Sequence, residues 1–201
     1  MVDLDVLVIT RTVFCDLIFV GLPGIPEPGQ EFYSQGFALC PGGLSANSGM
    51  ALSRLGMKVG VISRIGRVPL GDVLYRQLEA EGVDLTHVLL LDEEPTAVSV
   101  AMSLPADRCF VTYPPRSRAE EPLPIDFEFV RLARHVLVSA TDITRHQLER
   151  IREMGVGVTL DTGWDATGEA QTVFDLLPLV DIFVPNEVEA CRLTGASDVR
   201  D

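Results

Sequence analysis

Basic residues are scarce in this 201-residue sequence: sixteen, of which only Lys58 is a lysine, against 29 acidic residues. The resulting charge of −13 repels DNA, RNA and anionic lipid surfaces, so neither nucleic acid nor membrane is an expected partner. No apolar run approaches the ~20 residues that a membrane-crossing helix needs. The four cysteines, Cys15, Cys40, Cys109 and Cys191, lie far apart, which removes zinc-ribbon and redox-pair spacings. No basic and apolar export signal opens the chain, and with four unpaired thiols this makes the cytoplasm the expected location.

Several common catalytic motifs are also missing. No Gly-x4-Gly-Lys-Ser/Thr phosphate loop occurs. The Gly155-Val156-Gly157 pair has Leu160 where a dinucleotide fingerprint needs its third glycine, and it precedes a strand rather than following one. No His-Glu-x-x-His occurs, and His87, His135 and His146 are spaced as surface or strand-edge residues. Gly43-Leu44-Ser45-Ala46-Asn47 stops one residue short of a hydrolase nucleophile elbow, so Ser45 is expected to cap a helix instead.

What remains is an ordinary globular composition, 47 % hydrophobic and 22 % charged, long enough for one domain with a small appendage. Strand-like runs at 4–10, 58–65, 135–139, 156–161 and 182–184 alternate with helix-like runs at 45–55, 69–81, 143–154, 169–177 and 186–193. In the run from Pro69 to Glu81, Leu70, Val73, Leu74 and Leu78 form an apolar stripe, with Pro69 in the first turn and Gly82 after the end. This alternation predicts a doubly wound α/β sheet. Two stretches interrupt it: 31–39, and a hairpin of 96–104 and 108–113 turning at Pro105-Ala106-Asp107. They predict a small separate sheet placed as a lid, with Pro114 to Pro124 as the linker back.

Pro41-Gly42-Gly43-Leu44-Ser45-Ala46-Asn47 joins a lid strand to a helix N-terminus. Two glycines allow close backbone approach to a ligand, and an Asn amide both donates and accepts, as a sugar hydroxyl does. Gly56 and Gly66 follow at regular spacing. Asp16 comes soon after the first strand, Pro26-Glu27-Pro28-Gly29 precedes the lid segment, and Pro185-Asn186-Glu187-Val188-Glu189 carries an Asn-x-x-Glu pattern. In this order, over nearly the whole chain, the set resembles the ribokinase-like (PfkB) carbohydrate kinase family.

The resemblance implies a three-layer, mostly parallel α/β sandwich with a small β lid: core at 1–12, 40–93 and 117–201, lid at 13–39 and 94–116. It implies ATP-dependent phosphorylation of a sugar or sugar-like hydroxyl, with ATP and Mg²⁺ as cofactors and a homodimer through the lid as a possible partner arrangement. Asp16, Gly42, Gly43 and Asn47 would bind the substrate. Asn186 and Glu189 would organise phosphate and metal, Glu189 indirectly. A bare capping box is the alternative for that pair. Asp161 and Asp165 stand at a strand end where they either cap a helix or touch ligand, and Phe110 and Tyr113 face either substrate or a dimer interface. An arginine pair at Arg116 and Arg118 would suit a phosphorylated substrate.

One family element has no counterpart here. The second signature, a Gly-Ala-Gly-Asp run that supplies the anion hole and catalytic Asp, does not occur within these 201 residues. The expectation is therefore an amino-terminal two thirds carrying the sugar half, inactive alone, with the catalytic Asp beyond residue 201. The alternative is a non-catalytic sugar-binding or regulatory module.

Overall fold

The structure, a computed structural model, describes residues 3–114, 123–163, 170–198 and 200. Most of the expected linker, Arg116, Arg118 and Asp165 lie outside the described residues. Two sheets form. The larger comprises β1 (Leu4–Ile9), β4 (Val59–Val68), β5 (Asp84–Pro95), β8 (Ala133–Ser139), β9 (Gly157–Asp161) and β10 (Ile182–Phe183), in the order β10-β9-β8-β1-β4-β5. Every pairing in it is parallel. The smaller is mixed, with β2 (Phe14–Val20), β3 (Gly36–Gly42), β6 (Ala97–Ser103) and β7 (Arg108–Tyr113) in the order β3-β2-β6-β7.

The helices are α1 (Gly43–Arg54), α2 (Gly71–Ala80), α3 (Phe127–Val130), α4 (Arg145–Glu153), α5 (Ala170–Leu176) and α6 (Glu187–Thr194). A parallel sheet needs cover on both faces, and the central strand β1 shows how it is met. Leu7 and Ile9 pack into one core with Leu148 and Ile151 of α4 and Leu176 of α5. Val6 and Val8 point the other way, into a core with Ala46 of α1 and Leu74 and Leu78 of α2. The period-two alternation of one buried strand thus builds both interfaces of a three-layer sandwich.

The alternating βα elements stand where periodicity placed them, within two or three residues. Ser45 does not cap its helix: Gly42 is the N-cap, and Ser45 is the third residue of α1, fully buried, its hydroxyl without a hydrogen-bond partner among the described residues. The extended backbone that an N-cap needs falls at Gly42 (φ −136°, ψ −174°), three residues before the serine. Pro69 also stands outside its helix, two residues before Gly71. The twelve-residue strand β5 and the one-turn α3 were not legible, because β5 carries an acidic carboxyl-terminal end and α3 is too short for a helical period. Asp126 caps α3, accepting from the backbone N–H groups of Glu128 and Phe129.

Two of the three histidines make structural contacts. His87 stacks on Phe129 (centroids 3.8 Å apart) and reaches Asp126 at 3.1 Å. His135 on β8 pairs with Thr159 of β9 at 2.7 Å, and His146 is exposed.

The chain crosses between the sheets at tightly bonded points. Val13 N–H donates to the Arg64 carbonyl (2.9 Å) as β1 gives way to β2. Between β5 and β6, Thr96 donates its hydroxyl to the Gly66 carbonyl (2.8 Å) and accepts from Leu70 N–H (3.1 Å). No side chain fits at Gly66, where a Cβ would lie 2.2 Å from the Pro95 carbonyl oxygen. Because Thr96 is 2 % exposed, Thr96→Val leaves buried partners unsatisfied; it is expected to lower the free energy of unfolding in urea by about 1–3 kcal/mol. A change below the error of the urea midpoint would show that this junction does not hold the two sheets.

Candidate functional site

The face of the small sheet that carries Cys15, Leu17, Leu39 and Val98 packs against the core beneath α1 and α2. The opposite face, with Asp16, is therefore the one left open, beside the carboxyl ends of the parallel strands. Ligands of open α/β sheets bind at such an edge.

Asp16 lies in the middle of β2, half-buried, opposite Cys40 of β3 and Ser99 of β6. Its carboxylate accepts no hydrogen bond among the described residues, and burial holds its pKa above the ordinary value. It lies directly against the α-carbon of Gly42: a Cβ there would sit 2.1 Å from Asp16 Cγ and Oδ2. Gly42 is thus required because the carboxylate occupies the side-chain position. The same charge, after burial, raises both neighbouring thiols, Cys15 to about 11 and Cys40 in the same direction. Neither is a nucleophile at neutral pH.

Gly42 and Gly43 lead into α1, whose N-terminus has no side-chain cap, so its first amide hydrogens remain for a ligand or water. Asn47 is exposed, one turn into the same helix. Asp16, Gly42, Gly43 and Asn47 therefore share one neighbourhood, the β2–β3–α1 junction. A half-buried carboxylate without a donor, flanked by free backbone amides, is suited to a ligand that brings O–H donors of its own.

Asn186 and Glu189 lie elsewhere on the same edge. They follow β10, three strands from β1, or about 14 Å at ordinary strand spacing. The two form a capping box: Asn186 Oδ1 accepts from Glu189 N–H (2.9 Å), and Glu189 Oε2 accepts from Asn186 N–H (2.9 Å). The structural alternative for this motif is therefore present, and it leaves one Glu189 oxygen unused among the described residues.

Between these groups stands Asp161 at the end of β9. Its carboxyl is raised chiefly by burial and further by Glu189 and Asp142, against the stabilising Gly163 N–H (2.7 Å). Asp142, 8 % exposed, accepts from Arg11 N–H (3.1 Å) and the Thr141 hydroxyl (3.2 Å). The fold thus gathers Asp142, Asp161 and Glu189 from three separate segments. Asp161 stands out in the sequence as a strand-end residue that either caps a helix or touches ligand, whereas the only local signal of Asp142 is a position just after a strand. Among the described residues no three His, Cys, Asp or Glu side chains are grouped to hold a metal ion directly.

A carboxyl with a raised pKa stabilises the fold most when protonated, and that contribution is lost as pH rises through its folded pKa. Asp16→Asn is therefore expected to be more stable than the parent at pH 7, with the difference vanishing as pH falls below the ordinary value of 3.8. Thermal unfolding across that range tests this, and a variant less stable at pH 7 would mean that Asp16 has a partner in solution. Gly42→Ala should destabilise by about 1–3 kcal/mol through overpacking. Much of that loss should be recovered in the Gly42→Ala/Asp16→Ala double variant, read from a urea double-mutant cycle; strict additivity would contradict the contact.

Comparison with known proteins agrees with this architecture. The model of the pfkB family of carbohydrate kinases matches residues 8–201. The chain is 30 % identical over 189 residues to the ribokinase of Haemophilus influenzae, covering 88 % of this chain and 58 % of that protein. It is 28 % identical over 182 residues to the 2-dehydro-3-deoxygluconokinase of Bacillus subtilis, covering 81 % and 55 %. The chain thus spans little more than half the length of these relatives. In fold it is similar to Arabidopsis thaliana ribokinase, solved with ribose and ATP: TM-score 0.76, 24 % identity, 98 % of this chain and 65 % of that one. The open carboxylate beside paired glycines, the doubly covered parallel sheet and the family match agree, and the chain belongs to the pfkB family of carbohydrate kinases.

Proposed function

We propose that this chain carries the sugar-binding half of an ATP-dependent kinase that phosphorylates a sugar or a related polyol. The observation that carries the reading is the Asp16 carboxylate, half-buried, unpartnered among the described residues and pressed against Gly42. Two neighbouring sugar hydroxyls donating to its two oxygens would satisfy it in the charged form. Gly42 and Gly43 would line the other side with backbone amides, and Asn47 would add a donor and an acceptor. The small sheet, joined to the core through the Val13 and Thr96 junctions, would act as the lid over this cleft.

In such a kinase ATP supplies the phosphoryl group, and Mg²⁺ neutralises charge on the phosphates. Asn186 and Glu189 fit a supporting place in that chemistry. Their capping box fixes both side chains, and the unused Glu189 oxygen can orient water around a metal without binding it directly. No Gly-Ala-Gly-Asp run occurs in these residues, so we assign no catalytic base or anion hole to them. In this reading the chain binds sugar and does not by itself turn over ATP.

Titration calorimetry of the chain with D-ribose and with D-fructose tests the assignment. Saturable binding is expected for at least one sugar, abolished in Asp16→Ala with an unchanged circular dichroism spectrum. Equal binding by parent and variant would remove Asp16 from the site.

A further inference from the structure

Buried hydroxyl groups gather where α1 begins. The helix ends at Arg54, just ahead of the first residue of β4, so its first turn lies at the carboxyl edge of the parallel strands. On the face of the large sheet that α1 and α2 cover, Val8 of β1 and Val61 of β4 are followed two residues later by Thr10 and Ser63. Both are buried, and their hydroxyls are bonded to each other (3.3 Å). The buried Thr12 hydroxyl donates to the Arg64 carbonyl (3.3 Å). Ser45, the third residue of α1 and 0 % exposed, is different: its hydroxyl has no partner among the described residues.

A serine inside a helix ordinarily donates to a carbonyl three or four residues back. For Ser45 these carbonyls belong to Gly42, whose α-carbon the Asp16 carboxylate touches, and to Pro41 beside it. The hydroxyl makes neither bond. A buried hydroxyl without a partner destabilises the fold, and an alanine at the same place would not. Asp16 is half-buried and unpartnered as well, so two unsatisfied groups flank Gly42, one on β2 and one in the first turn of α1.

We infer that Ser45 is a positioning residue of the sugar site. When a ligand engages the uncapped amides of Gly42 and Gly43, the first turn of α1 resets and the Ser45 hydroxyl donates to the Gly42 or Pro41 carbonyl. A bond made only in the liganded state adds to affinity, because a ligand draws on whatever differs in free energy between the two states. Ser45 itself touches no sugar, being fully buried. This inference rests on the sugar-binding reading above, and the experiment separates the two.

D-Ribose and D-fructose are titrated into the parent chain and into Ser45→Ala, Ser63→Ala and Asp16→Ala, and each protein is unfolded in urea. Ser45→Ala is expected to raise the urea midpoint, because it removes an unpaired hydroxyl from the ligand-free chain, and to weaken sugar binding about three- to tenfold. A serine with a purely structural role would not move stability and affinity in opposite directions. Ser63→Ala, in the same buried layer but already paired with Thr10, is expected to lower the midpoint and leave affinity unchanged. An unchanged affinity or a lowered midpoint in Ser45→Ala, with Asp16→Ala still losing the sugar, overturns the positioning role and leaves the sugar site standing. An equal loss of affinity in Ser63→Ala overturns it too, since packing beneath the site would then be the cause. Failure of the parent chain to bind either sugar overturns the sugar-binding reading and this inference with it.

Discussion

The constraint on which this structure rests is the double burial of a parallel sheet. Parallel strands are joined by crossovers that lay helices on the faces, so every strand residue must be covered from one side or the other. β1 meets the demand by sending Leu7 and Ile9 to one core and Val6 and Val8 to the other. With both faces closed, the ends of the strands are what remain for function. At the carboxyl end of β1 the chain leaves the large sheet and begins the small one, so the first polar side chain of β2, Asp16, arrives beside that edge.

A carboxylate in that position is costly. Asp16 is partly desolvated and accepts no hydrogen bond among the described residues, and its raised pKa is the signature of that cost. Gly42 shows that the placement is specific, because the carboxylate fills the space where any other residue would carry its Cβ. A fold selected for stability alone would place a neutral residue here. Retaining a charge without a partner makes sense when the partner arrives from solution, which is the link between the energetics of this site and its proposed use.

Much of this was legible from local chemistry. Helical and strand periods depend on residues a few positions apart, so the βα alternation could be read directly, as could the glycine pair and Asn47. The capping box at Asn186 and Glu189 could be read for the same reason: its two hydrogen bonds close within four residues. Ser45 is not the cap because a capping residue must itself be extended, and that conformation falls at Gly42, which leaves Ser45 inside the helix. β5 escaped because its burial changes along its length, so neither alternation nor a continuous apolar run marks it.

The sequence by itself determined most of the alternating strands and helices of the core, though not β2, β5 or α3, that the chain is α/β, and that Asp16 and the glycine pair are candidates for one site. Those properties follow from side-chain period and backbone freedom, which act over a few residues. Tertiary structure alone decided which distant groups meet. Strand order brought Asp142, Asp161 and Glu189 to one edge, and strand register aligned Asp16 with Ser99 and Thr112. Register is set by how whole strands bury their faces, and a one-residue slip would turn Ser99 and Thr112 to the other side of the sheet. No local pattern in the chain encodes that choice; it is made when the two sheets pack.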